Sequence, residues 1–235
     1  MKILSAKLKF TAACLAFLSF FSCAANINGV ISPNGSADIN ISLSLGQRIT
    51  TLIRSFSAAG GKEAERVLDG ASITRSMSNA PGISLVTFRN TSASAVEGRI
   101  VISHISEFLS SGGQFITFQQ NSSGGRCVIN INRENASVIL GNLSPEINDY
   151  LTAILAPIAI DDEMTKTEYL ALVASFYNKA VSDEIASSRI RASIDFPANV
   201  KTVKGGTFSG RRAVFDIPLL DILVLETPLV YEVNW

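Results

Sequence analysis

The chain has 235 residues, with 20 basic and 20 acidic side chains and a formal net charge of zero. At 47% apolar, 17% charged and a mean hydropathy of +0.29, it is too apolar for a disordered chain and too balanced for a nucleic-acid binder that works by neutralising phosphates. One His and three Cys exclude a His-rich metal centre and a disulfide framework, and no cofactor is expected.

The N-terminus carries the strongest signal. Lys2, Lys7 and Lys9 make a basic start without an acid, and Phe10 to Phe21 is an uncharged apolar run. That run is shorter than the roughly 20 residues a membrane-spanning helix needs, so residues 1–22 read as a secretory signal peptide. Phe20-Phe21-Ser22-Cys23 resembles a relaxed bacterial lipobox, with Phe20 where Leu is usual and Phe21 where a small residue is usual. On this reading residues 23–25 form the lipid-attachment terminus and Cys23 carries acyl chains of the palmitate type. Ordinary cleavage near Ser22-Cys23-Ala24 or Cys23-Ala24-Ala25 is the alternative. Lipidation also accounts for the cysteines: Cys14 leaves with the signal, Cys23 is acylated, and Cys127 remains as a lone, buried strand thiol.

Residues 26–235 read as one α+β domain, with a division into two lobes near 133–145 as the alternative. Pro33-Asn34-Gly35 is a hairpin turn, because Asn-Gly accepts the positive φ angles that tight turns demand. Ala37, Ile39, Ile41, Leu43 and Leu45 alternate with polar residues as a half-buried strand, and Ile49, Leu52, Ile53 and Phe56 then switch to helical spacing. Strands are expected over 83–89, 98–103, 114–119 and 126–132, with a short helical piece at 105–109. Ser144-Pro145 opens a helix carrying Ile147, Tyr150, Leu151 and Ile154. Thr165 and Glu168 fit a capping box at the head of a second helix predicted to run to about Ser187. Alternating strands return at 189–196 and 229–235. Strand pairs separated by helices predict a mainly antiparallel sheet with helices packed on one side.

Catalytic constellations are missing. His104 is the one histidine, Gly206-Thr207-Phe208-Ser209-Gly210 has the wrong spacing for a nucleophile elbow, and there is no Walker loop or dinucleotide fingerprint. Asp161, Asp162 and Glu163 form the densest acidic cluster. They lack the spacing and turn Gly of a calcium loop, and their place before Thr165 suits a helix N-terminus. Arg189, Arg191, Lys201, Lys204, Arg211 and Arg212 stand against one acid, Asp195, and are read either as cross-strand partners for the acids that follow or as a basic face against anionic lipid.

Asn28-Gly29-Val30 through Asn34-Gly35-Ser36-Ala37-Asp38 is similar to the opening of mycobacterial LppM-type lipoprotein domains. The run Ile217-Pro218-Leu219-Leu220-Asp221-Ile222 to Glu226, with Tyr231-Glu232-Val233-Asn234-Trp235, resembles spirochaetal lipoproteins of the treponemal type. Neither resemblance supplies a catalytic motif. Together with the lipobox they imply a non-enzymatic, membrane-anchored bacterial envelope protein that binds a hydrophobic ligand or an envelope partner, and no nucleic acid. The competing readings are a metal-dependent hydrolase built on Asp161, Asp162 and Glu163, and a structural subunit of the envelope. Mass spectrometry of the processed protein is expected to find Cys23 as its first residue, carrying acyl chains; an unmodified or missing Cys23 removes the tether.

Overall fold

The computed structural model describes residues 24–59, 66–111, 115–141 and 145–235; Cys14, Cys23 and the signal segment lie outside the described residues. The chain opens with the predicted hairpin. Strand β1 (Ala24–Ile31) pairs antiparallel with β2 (Ala37–Ser44), from Ala24 opposite Ser44 to Ile31 opposite Ala37. Gly35 holds a φ of +80°, and Asn34 Oδ1 accepts the Ser36 N–H at 3.1 Å. The predicted Asn-Gly turn is thus made by backbone freedom at one residue and a side-chain acceptor at the other.

Helix α1 (Gln47–Ala59) and helix α2 (Gly70–Met77) follow, then the hairpin β3 (Ile83–Ser92) and β4 (Ala95–Ile102). Helix α3 (Ile105–Ser111) leads to a second hairpin, β5 (Ile116–Asn121) and β6 (Gly124–Ile131). A helical stretch comes next: α4 (Arg133–Gly141), α5 (Pro145–Ala153), α6 (Pro157–Ile160), α7 (Lys166–Phe176) and α8 (Lys179–Ser187). The chain then forms β7 (Arg189–Asp195), β8 (Thr202–Lys204), β9 (Thr207–Ser209), β10 (Arg212–Pro218), α9 (Leu219–Val224) and β11 (Leu229–Asn234).

The α+β character and the mainly antiparallel pairing hold, and the expectation of one sheet is corrected. The described residues form two sheets, a seven-stranded one in the order β3-β4-β2-β1-β7-β10-β9 and a four-stranded one in the order β5-β6-β11-β8. The pairing is antiparallel except at the centre of the larger sheet, where β1 runs parallel to β7. A parallel pair needs a crossover, and here it contains the whole chain from β2 to α8. Alternation within single strands carries no record of which distant strand lies alongside.

The helix expected to run to Ser187 is two helices. The capping box at its start is present, with Thr165 Oγ1 accepting the Glu168 N–H and the Glu168 carboxylate accepting the Thr165 N–H. At Asn178, however, the backbone turns to φ 170° and the side chain accepts the Val181 N–H at 3.0 Å. Asn competes for backbone donors better than it continues a helix, so α8 restarts in a new direction.

The larger sheet has one wet face and one dry face. Outward side chains pair across strands: Arg99 with Asp38 at 2.5 Å, Arg212 with Asp195 at 2.7 Å, Arg89 with Glu97 at 3.0 Å. Inward residues of the central strands form apolar rows, such as Ile27 beside Ile41 and Ala192, then Gly29 beside Ile39 and Ile194. Near the start of β1 this face is covered by helices, whose core joins Ile49 and Ile53 of α1 to Tyr169, Val173, Val181, Ile185, Leu223 and Val224. Near the end of β1 it is covered by the smaller sheet, through Phe196, Phe215, Val233 and Trp235.

Helix α1 is seated by a buried acid. The Glu184 carboxylate on α8, 5% exposed, accepts the backbone N–H groups of Arg48 at 3.0 Å and Ile49 at 2.8 Å. It satisfies donors that the first turn of a helix cannot pair internally. Gly46 leaves the space: a Cβ there would overlap the Glu184 carboxyl group. Glu184→Ala is expected to cost roughly 2–4 kcal/mol in chemical denaturation, since two buried N–H groups lose their acceptor, and Glu184→Gln about half of that.

An apolar cavity between the sheets as candidate functional site

The inner faces of the two sheets do not close on one another completely. Between them lies a cavity of about 390 Å³. Its floor is the larger sheet, with Ile27, Gly29 and Ile31 of β1 flanked by Ile39 and Ile194. Its roof is the smaller sheet, with Phe118, Cys127, Ile129, Tyr231 and Val233. Ile105 and Phe108 of α3 wall one side, and Ile222 of α9 contributes at the other. Each strand places alternate residues here, so the wall is apolar by the same period that makes the outer face polar.

The cavity shows in the burial of its lining. Ile27, Ile39, Ile129, Ile131, Ile194 and Ile217 point inward on their strands, yet each is only half-buried. Gly29 is closed over by its neighbour, since a Cβ there would come within 2.8 Å of Ile194 Cδ1, whereas Ala192 in the next row lines the space with a single methyl group.

Cys127 faces the cavity from β6, across the pair from Phe118 and Val233. It is a strand thiol, as expected from its alternation with Ile129 and Ile131. Desolvation pushes the thiol up to about 11. The thiolate is the nucleophile, so this sulfur is inert at neutral pH.

A second space of about 180 Å³ lies on the same inner face, toward the start of β1. Ala25, Leu43 and Ile190, the inward residues one row before Ile27, line it with Ile49, Ile53 and Tyr150 from the helical cover. A polar depression lies beyond the other end of the main cavity, at the β1–β2 turn.

The other residues singled out in the sequence fall elsewhere. His104 is exposed between β4 and α3, with Nδ1 3.7 Å from the Glu107 carboxylate, and borders the polar depression. Asp161 ends α6 in the left-handed conformation at φ 52°, and Asp162 and Glu163 lead from it toward α7. Among the described residues, no group of three or more His, Cys, Asp or Glu side chains converges on one point. Arg189 and Arg191 both lie near Asp216, at 3.8 and 3.6 Å, and Arg212 pairs with Asp195. Arg211 donates to the Phe196 carbonyl at 2.7 Å, Lys201 to the Trp235 carbonyl at 3.2 Å, and Lys204 lies opposite Glu232. Each basic residue of that run thus has a nearby acid or carbonyl.

Sequence reasoning missed the cavity. The small inward residues Ala37 and Ala192 were visible, but only the pairing of β1 with β7 sets Ala192 beside Ile27 on the floor of the space.

Comparison with known proteins adds a single distant likeness. No protein-family model matches the chain, and no curated protein matches it. Among solved structures, the chain is similar to the folded domain of LppM from Mycobacterium tuberculosis, at 11% identity and a TM-score of 0.41, covering 91% of this chain and 89% of that one. The spirochaetal resemblance gains no support.

A thiol held at about 11 instead of the model-compound value of 9.0 carries about a hundredfold less thiolate at pH 8. A charged thiol reagent at that pH is expected to leave Cys127 unlabelled in the folded protein and to label it fully in denaturant, as read by peptide mass mapping.

Proposed function

We propose that this protein is a lipid-anchored envelope protein that holds a hydrophobic ligand in the cavity between its two sheets. The observation that carries the reading is the apolar space of about 390 Å³, within the range of 300–1,000 Å³ typical of ligand sites. A structural subunit of the envelope has no use for such a space and would be better served by a filled core. The carboxylate hydrolase has no comparable observation behind it.

The physical case is one of desolvation. An apolar molecule moved from water into this space gains about 25 cal/mol for each Å² of its surface removed from water. It displaces no well-bonded water, because an apolar cavity offers water no partners. The site therefore selects for length and apolarity. Acyl chains on Cys23 would hold the cavity at a membrane surface, where such ligands are found. No helix among the described residues is long and apolar enough to cross a membrane.

Two measurements test the proposal. Native mass spectrometry of the protein purified without delipidation is expected to show a co-purified lipid mass that Ala192→Phe, which fills the middle of the cavity, removes while the fold is retained. Cys23→Ser is expected to move the protein from the membrane fraction to the soluble fraction. A clean apo mass together with no uptake of added long-chain lipid would refute ligand binding.

A further inference from the structure

The two spaces on the inner face and the polar depression are not scattered. Along β1 the small space is lined by Ala25, the main cavity by Ile27, Gly29 and Ile31, and the depression by Pro33, Asn34 and Gly35 of the turn that follows. From Ala25 to Ile31 the strand advances about 20 Å at ~3.3 Å per residue. The long axis of the site is therefore the β1 strand, apolar along its length and polar at the turn end.

Phe118 borders both the main cavity and the depression, so a single ring stands at the boundary. The ring is held from one side by Trp235, with centroids 5.7 Å apart. Beyond it, the next inward residue of β5 is Gln120. Its amide N–H groups donate to the carbonyls of Ser32 at 3.3 Å and Pro33 at 2.7 Å, fastening the edge of the smaller sheet to the β1–β2 turn. Gln120 Oε1 is sealed from water and, among the described residues, is one of two buried side-chain polar atoms without a hydrogen-bond partner. An acceptor left in that state is costly.

The depression is about 480 Å³, with His104 and Ser106 on one side and Gln119 and Gln120 on the other. Among the described residues, no Lys, Arg, Asp or Glu lines it. A phosphate or carboxylate placed there would lose hydration without a cation to replace it. Hydroxyl or amide groups would instead meet side chains that both donate and accept.

From this arrangement we infer that the ligand is an amphiphile with a long apolar chain and an uncharged, hydroxyl- or amide-bearing head. The chain lies along β1 under the smaller sheet, and the head sits at the β1–β2 turn against His104, Ser106 and Gln120. The inference rests on the ligand-binding proposal above and adds the head group and the orientation to it. Phe118 marks the junction between head and chain.

The test is displacement of an apolar fluorophore from the purified protein by three probes with the same chain: monopalmitoylglycerol, methyl palmitate and palmitate. Monopalmitoylglycerol is expected to compete about tenfold more strongly than either of the others, the effect of one or two added hydrogen bonds. The double variant His104→Ala, Ser106→Ala alters exposed residues only. It is expected to abolish that preference. Equal or tighter binding of palmitate, or a preference that survives the double variant, overturns the head-group assignment and leaves the cavity reading standing. Failure of all three probes to displace the fluorophore, while the fluorophore binds, overturns the amphiphile. No binding of fluorophore or probe overturns the ligand-binding proposal itself.

Discussion

The dry face of the seven-stranded sheet is the constraint from which the rest of the structure follows. It presents rows of Ile, Leu and Ala, and an exposed apolar face of that extent would not persist in water. Neither the helices nor the smaller sheet covers it alone. The helical cover closes over Ala25, Leu43 and Ile190, and the smaller sheet closes over Ile31, Ala37 and Phe196. Trp235 anchors the second cover, packed 4.7 Å from Phe196 and 2% exposed. Side chains in the two covers do not fill the middle of the face, and the cavity is what remains.

This division explains why much of the fold was legible in the sequence and the site was not. The β1–β2 hairpin, the capping box at Thr165 and the inward-facing strand position of Cys127 are local: each is decided by residues within a few positions of one another. The break at Asn178 is also local, but a continuous apolar stripe at helical spacing on either side of it hid a single capping residue. The cavity is non-local. Ala192 reads as one small residue in a strand until β1 is placed beside it, and Gln120 reads as an ordinary strand polar residue until its amide meets the turn at Ser32 and Pro33. Pairings between distant strands leave no periodic trace, so the site they create leaves none either.

The charged residues show the same separation between composition and arrangement. In the sequence, basic residues from Arg189 to Arg212 precede acidic ones from Asp216 onward, which suggests two faces of opposite sign. Folding interleaves them, because β7 and β10 run antiparallel and bring Arg191 level with Asp216 and Arg212 level with Asp195. In the Asp195–Arg212 pair, the guanidinium beside the carboxyl group holds Asp195 below the usual carboxylate range. Exposed pairs of this kind contribute little stability, and their main effect is to make the outer face neutral and strongly hydrated.

The parallel pairing of β1 with β7 has a bearing on how the protein is made. Ala24 cannot meet Arg189 until nearly the whole chain is available, so the centre of the larger sheet is completed late. On a chain made from its N-terminus, β1 meets β2 almost at once, while its other edge stays unpaired until roughly the last fifth of the polypeptide has been made. An open strand edge is a template for pairing with other chains, so this topology lengthens the interval in which the young protein needs shielding.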